Sequence, residues 1–373
     1  MKILPGKDAS FAIVDGRLFS WGENSHGQLG LGGLLSTDTP RQVGADSDWT
    51  DISSSGKFTL GIKNGELWSW GTNNFGELGL GFSSSIKESA PVRVGTFSDW
   101  AQVSAGHLHS LAIRNGELWG WGGNWSCEAG YHMGGTLTEP RRIGEDSTWD
   151  SVSAGRRFSL ALKEGRLFSW GDNRHDQLGT GRGQLRATPV AVGEFSDWTQ
   201  ISAGPNISFA IRNGELYSFG GGYIRPLEDP KTPPRNRPFR VGDRFDWTHV
   251  SAGEEVILAI ANNHLFMSHI ECTSSELRGR KRIPPVKVGD ESTWEQVSSG
   301  RDHFLAVKDG EIFSWGSNSR GQLGLPGLDS ASTPHSHHSS VDFFQLKKDP
   351  SLKKRRVFLL ALFLQETLLP IEF

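Results

Sequence analysis

The stretch LFSWGENSHGQLGLG, Leu18 to Gly32, decides the fold. Its crowded glycines, Gly27, Gly30 and Gly32, look at first like a loop that wraps a nucleotide phosphate. The stretch returns, however, as LWSWGTNNFGELGLG from Leu67, LFSWGDNRHDQLGTG from Leu167 and IFSWGSNSRGQLGLP from Ile312. A phosphate loop occurs once per nucleotide site, whereas a recurring phrase marks architecture. The glycines hold the chain rather than a ligand.

A second phrase keeps step with the first: WAQVSAG from Trp100, WDSVSAG from Trp149, WTQISAG from Trp198 and WTHVSAG from Trp247, with looser copies opening at Trp49 and Trp294. Trp49 to Trp70, Trp100 to Trp121, Trp149 to Trp170 and Trp294 to Trp315 are each 21 residues apart. A proline (Pro40, Pro91, Pro140, Pro189, Pro238 or Pro285) stands nine residues before each of the six tryptophans that open this second phrase. The period is close to 49 residues and seven copies can be counted. Each unit reads as four short strands, the second and third joined by Asp15-Gly16, Asn64-Gly65, Asn115-Gly116, Asn213-Gly214 or Asp309-Gly310. These pairs suit a two-residue hairpin turn with both φ angles positive, and Asn263 replaces the glycine in the sixth copy. Proline opening the fourth strand fits an edge position. Sheets this short cannot bury their aromatic faces alone and must stack on their neighbours. The expected fold is all-β, a seven-bladed β-propeller of four-stranded antiparallel blades with its ring closed by the N- and C-terminal segments.

The phrases WxxVSAGxxHSLAI, GELWSWG and NxxGQLGxG resemble the repeat of the regulator of chromosome condensation family, over residues 1–346. That resemblance implies a seven-bladed propeller whose ring draws one blade from both termini. Since GKDASFAIVDGRLFSWG (Gly6 to Gly22) matches the part of a unit after its first strand, blade one is expected to lack that strand. Phe343 to Leu346, with Pro334 nine residues before Phe343, is expected to supply it. Residues 347–373 form a separate tail, basic in LKKDPSLKKRR and apolar in VFLLALFL. The apolar run falls well short of the roughly 20 residues that span a bilayer, and tail contact with a membrane surface is the weaker reading beside packing on the ring.

Composition narrows the function. A net charge of −3 gives no general attraction to nucleic acid, which is not an expected partner. Two cysteines, Cys127 and Cys272, cannot build a disulfide framework or a four-ligand zinc site. No secretory signal opens the chain, so the expected setting is the cytoplasm, with the nucleus as the alternative. No catalytic, metal or cofactor residue is assigned. The tract of His335, His337 and His338 reads as a solvated linker, His109 and His303 as core hydrogen-bonding residues, and Cys127 as an inert thiol.

Strand alternation puts the turns after SAG and the NxxGQLG loops on one rim, and the Asn-Gly turns and inter-blade links on the other. The link rim reads as acidic, with Asp46, Asp48, Asp99, Glu145, Asp146, Glu194, Asp197, Asp243, Asp246, Asp290 and Glu291. The SAG rim carries Lys7, Lys57, His107, Arg156, Arg157 and Arg301 against Asp8, Glu254, Glu255 and Asp302. In repeats five and six the GQLG loops give way to basic insertions, adding Arg225, Lys231, Arg235, Arg237, Arg278, Arg280, Lys281 and Arg282, and repeat six has Ser268 for its second tryptophan. Loops that leave a repeat's consensus are where function tends to sit. The candidate partner-binding set is therefore Arg156, Arg157, Arg225, Arg235, Arg237, Arg278, Arg280, Lys281, Arg282 and Arg301, on a monomeric, non-catalytic scaffold for a protein partner. The resemblance implies a second reading, a guanine nucleotide exchange factor with a small GTPase as partner. Unit spacings of 47 to 51 residues leave little room for the wedge-like insertion such activity uses in the best-known member of the family.

Overall fold

The computed structural model describes residues 1–132, 134–221, 236–269 and 285–337. They form seven four-stranded antiparallel sheets, with no helix among the described residues. Blade one contains β1 (Lys2–Pro5), β2 (Ala9–Val14), β3 (Arg17–Gly22) and β4 (Thr37–Gln42), paired in chain order. This corrects the expectation that blade one lacks a first strand. Ile3 pairs with Ala12 as Val103 pairs with Ala112, so ILPG is the blade-one form of VSAG. The tryptophan position of the repeat falls ahead of Met1, which removed the marker by which the other strands were recognised. Phe343 to Leu346, like the tail, lies outside the described residues. Blade seven runs from Trp294–Ser299 to Ser330–Ser336, so the segment after Gly327 includes that blade's fourth strand.

All seven hairpins between second and third strands use two positive-φ residues, from Asp15 (50°) and Gly16 (75°) to Asp309 (52°) and Gly310 (72°). Blade six manages with Asn262 (46°) and Asn263 (58°). The glycine has a second reason: a Cβ on Gly65 would lie 2.2 Å from the carbonyl oxygen of Ser98 in the following link. Pro238 and Pro285 stand just before the fourth strands of blades five and six, whereas in the other blades the fourth-strand proline lies inside a bulge. Ser20 opposes Arg41 while Gly22 opposes Thr37, leaving Pro40 in the extra turn of chain at the outer edge of the sheet.

The first strand of each blade is also a sheet edge, and its outward N–H groups need partners. The preceding blade supplies them from side chains. The hydroxyls of Ser53, Ser104, Ser153 and Ser202 accept from the N–H groups of Ala105, Ala154, Ala203 and Ala252, and Ser251 from Ser299, each at 2.9 Å. Gln102 Oε1 accepts from Val152 N at 3.0 Å, and Gln200 Oε1 from Val250 N at 2.9 Å.

The NxxGQLG loop makes the second inter-blade joint. Asn24 Oδ1 accepts from Leu29 N and its amide donates to the carbonyls of Gly33 and Leu35, which closes the loop on itself. The backbone carbonyl of Gln28 then accepts from Thr59 Oγ1 at 2.9 Å and Trp70 Nε1 at 2.7 Å in the next blade. Glu77 repeats this with Ser110 and Trp121, Glu128 with Ser159 and Trp170, and Gln322 with Ser10 and Trp21. The last of these joins blade seven to blade one. Trp21, Trp70, Trp121 and Trp170 are completely buried.

Glu77 and Glu128 stand where other blades have glutamine, and both are buried. Burial raises their carboxyl pKa values, Glu128 to about 7, against the pull of N–H groups such as that of Ser126, which donates to Glu128 Oε2 at 2.6 Å. His337, expected in a solvated linker, is instead buried against Trp21 at 5.8 Å between ring centroids, with Nε2 3.0 Å from Ser314 Oγ. Burial lowers its pKa to about 4.

Two predictions follow from these joints. Ser159 also meets His109 Nε2 at 2.9 Å, so Ser159→Ala leaves a buried imidazole N–H without its partner as well as removing a bond to Glu128. It should cost about 1–3 kcal/mol in urea denaturation, more than Ser208→Ala, which removes only the bond to Gln177. Equal losses would deny His109 a part in the joint. For Glu128 the folded pKa lies above its unfolded value, so the native state holds more protons between about pH 4.5 and 7, and stability falls as pH rises through that window. Glu128→Gln should therefore raise the melting temperature at pH 8 and change it little at pH 5. An equal change at both pH values would mean that Glu128 does not titrate there.

Candidate functional site

The SAG turns and the NxxGQLG loops do share one rim, since Gln28 Nε2 donates to the carbonyl of Gly56 in the next blade's turn at 3.2 Å. First strands of adjacent blades contact one another around the ring, so these turns encircle the mouth of its central channel. Charge is unevenly used there. Arg301 lies 3.8 Å from Asp8 and 3.5 Å from Glu254, and Glu254 also reaches Lys7 at 3.7 Å. Blades six, seven and one thus neutralise one another. Lys57, Arg156 and Arg157 are exposed and form no salt bridge among the described residues, although the charge of Arg157 pulls on the buried Glu128 carboxyl. They flank His107, whose backbone N–H donates to the Gly155 carbonyl at 3.3 Å. The pKa of His107 is lowered, first by the turn stripping water from its ring and then by repulsion from Arg156, Lys57, Lys7 and Arg157. Among the described residues of the SAG turns, the positive charge outside salt bridges therefore lies on blades two to four.

Of the residues expected to bind a partner, Arg156 and Arg157 join this arc, while Arg301 is held in the ion-pair network. Arg237 is exposed at the outer edge of blade five, just before the strand Phe239–Arg240. Arg225, Arg235, Arg278, Arg280, Lys281 and Arg282 lie outside the described residues. Two aromatic residues escaped the sequence reading. Trp125, half exposed at 50%, stands edge-on to Phe75 with ring centroids 4.9 Å apart and planes at 88°. Both occupy the variable positions of NxxGQLG loops. Their departure from the small or polar residues of other copies was the signal available.

The link rim is less acidic than a list of its carboxylates implies. The second strand ends there, and its last residue pairs with the preceding link: Lys63 with Asp46 at 2.8 Å, Lys163 with Asp146 at 2.7 Å, Arg212 with Asp197 at 2.6 Å, Arg114 with Asp99 and Lys308 with Glu291. The cations also stack on aromatic faces, Arg114 3.7 Å above Phe97 and Arg212 3.6 Å above Phe195. Glu145 and Glu194 are exposed on this rim.

Ser10, His303 and Asp302 have the composition of a nucleophilic triad, and His303 Nε2 lies 2.9 Å from Ser10 Oγ. Geometry assigns them another task. The single hydroxyl proton of Ser10 goes to the Gln322 carbonyl at 2.8 Å, so the imidazole must donate into the hydroxyl and has no vacant Nε2 with which to act as base. Asp302 stands 3.9 Å from His303 Nδ1, and Ser10 and His303 are completely buried. His109 repeats the arrangement with Ser159, and burial lowers its pKa to about 3. Cys127 is buried, with its thiol pKa raised by burial.

Residues 15–62, 64–113, 164–211 and 309–346 match the regulator of chromosome condensation (RCC1) repeat, and residues 149–177 and 294–322 match a second form of it. No curated protein matches the chain by sequence. Among solved structures, human WBSCR16 is similar with a TM-score of 0.73 at 20% identity, over 86% of this chain and 94% of that one. Yeast RCC1 (Prp20), in a crystal structure bound to Kap60, gives 0.69 at 20% identity, over 90% and 84%. Saccharomyces cerevisiae Prp20p in a further structure gives 0.67 at 21% identity, over 89% and 86%. At such identities the likeness is one of fold. The matched repeats span more than half of the sequence, and the chain belongs to the RCC1 repeat family.

Proposed function

We propose that this propeller is a non-catalytic protein-interaction module that docks an acidic partner on the rim carrying the SAG turns. The observation behind this reading is the arc of Lys57, Arg156 and Arg157, exposed and in no salt bridge among the described residues, beside Lys7 and Arg301 of the same rim, which are paired. Unpaired charge on a rigid scaffold steers encounter and sets orientation. The basic residues of repeats five and six, Arg225, Arg235, Arg278, Arg280, Lys281 and Arg282, are proposed as contributors to the same recognition.

The test is affinity capture with the intact chain, followed by chemical cross-linking to locate the partner. Cross-links should fall on the SAG turns and NxxGQLG loops, and capture should weaken with added salt. Reversing Lys57, Arg156 and Arg157 to glutamate should reduce capture strongly, and reversing Glu145 and Glu194 to lysine should not. Each exposed change should alter stability by about 0.5 kcal/mol or less. Cross-links confined to the link rim would refute the docking face. Prp20p has been characterised for binding to Gsp1p and histones. Accelerated nucleotide release from a small GTPase by the purified chain would replace the scaffold reading with nucleotide exchange.

A further inference from the structure

Trp125 has a built seat. A Cβ on Gly123 would lie 2.5 Å from the Trp125 ring and 3.1 Å from the Leu108 carbonyl, so the indole rests on backbone beside the blade-three turn that carries His107. Glu23, Thr72, Asp172 and Ser317 occupy the position of Gly123 in four other blades, where a ring so placed would clash. Phe75, from the loop of blade two, braces the exposed ring at 88°. The loop beneath is closed by Asn124 Oδ1, which accepts from Ala129 N at 3.0 Å, and by its amide, which donates to the Tyr131 carbonyl at 3.0 Å. A large apolar surface is thus held still in water, so little side-chain freedom is lost when something covers it.

We infer that the tips of blades two to four recognise an acidic peptide segment bearing a large apolar side chain. The apolar group packs on Trp125 and Phe75, and the carboxylates meet Lys57, Arg156 and Arg157. Aromatic and arginine side chains dominate interface energetics when they are desolvated together. Charge complementarity selects the partner's sign and this arc over the opposite one, where Glu254 and Asp8 already occupy Lys7 and Arg301. A single edge-to-face pair suits one inserted side chain, whereas single-stranded nucleic acid is bound by successive stacking platforms. The inference rests on the reading of the SAG rim as a protein-docking face and names its occupant.

The test is fluorescence anisotropy of the intact chain with a labelled peptide alternating aspartate and leucine, beside one alternating lysine and leucine. The acidic peptide should bind, more weakly as salt rises, and the basic one should not. Trp125→Ser, which installs the residue found at this loop position in blades one and seven (Ser25 and Ser319), should weaken binding about tenfold or more. The double change Arg156→Glu with Arg157→Glu should do the same, and Arg301→Glu should stay within about twofold. Undiminished binding by Trp125→Ser, or equal binding of both peptides, overturns the inference. If binding is lost with Arg301→Glu and kept with Trp125→Ser, the site lies elsewhere and the rim reading survives. Displacement of the peptide by a thymidine oligonucleotide would make the surface a nucleic-acid site. Failure of both peptides to bind refutes the chemistry proposed, while cross-linking of captured partners still decides the rim.

Discussion

The structure depends on how each blade satisfies the open edge of the next. An innermost strand has a sheet partner on one side only, and its other N–H groups face the neighbouring blade in a crowded channel wall. Leaving such groups unpaired costs about as much as losing a hydrogen bond for each. The serine of VSAG answers this by accepting from the next blade's alanine N–H, and glutamine at 102 and 200 does the same one register earlier. The GQLG carbonyl, taking bonds from the next blade's hydroxyl and indole, is the matching joint farther out. Every joint is head-to-tail, so the ring closes only if blade seven meets blade one correctly. Leu4 has no hydroxyl and Pro5 no N–H, so the inner ladder is interrupted on both sides of blade one. Hydrogen-bonded closure is made at the outer joint, where Ser10, Trp21, His303 and Gln322 meet, with Arg320 and Glu23 3.2 Å apart and Arg301 and Asp8 3.8 Å apart at the rim.

The same logic explains where the repeat departs from its own pattern. In the sequence of blade five no GQLG motif follows the third strand, and in blade six Ile257 stands in place of the hydroxyl residue and Ser268 in place of the tryptophan. The sequence of blade six also lacks the motif, and in blade seven Phe304 replaces the hydroxyl residue. An apolar residue in place of a buried hydroxyl leaves no donor to orphan. Apolar contact takes over. Val256 and Leu258 share a cluster with Phe304 and Trp315, and Ile257 joins Phe209 and Val250.

How much of this could be read from the chain differs by level. Blade number, strand order and the hairpin turns follow from spacing and from residues that tolerate positive φ, which are local properties. Blade one was misread because Ile3 to Gly6 keeps only the register of VSAG and the final glycine, and pairing rather than identity makes it a strand. The link rim was misread because a list of acids omits their partners. Asp46 and Lys63 are 17 residues apart in the chain and 2.8 Å apart in the fold. His337 shows the same limit: beside His335 and His338 it reads as linker, and only the seam with Trp21 makes it core. Trp125 and Arg157 come from different repeats, so the candidate site is a product of the ring.

Within NxxGQLG, conserved joint and free surface alternate residue by residue. The asparagine and the glutamine point inward, and Asn24, Gln28, Asn124, Glu128, Asn173 and Gln177 are all buried. The residue after the asparagine is exposed in every such loop: Ser25, Asn74, Trp125, Arg174 and Ser319. Substitution there touches neither the loop's own closure nor its bond to the next blade. A propeller of this kind can therefore change what its rim recognises without disturbing the joints that keep it a ring. A tryptophan at one such position, with a glycine two residues earlier that clears its seat, needs two coordinated departures from the repeat. Packing within the fold demands neither, because blades one and seven keep the same loop with serine there. On the docking reading proposed above, the pair serves the apolar side chain that would cover that indole.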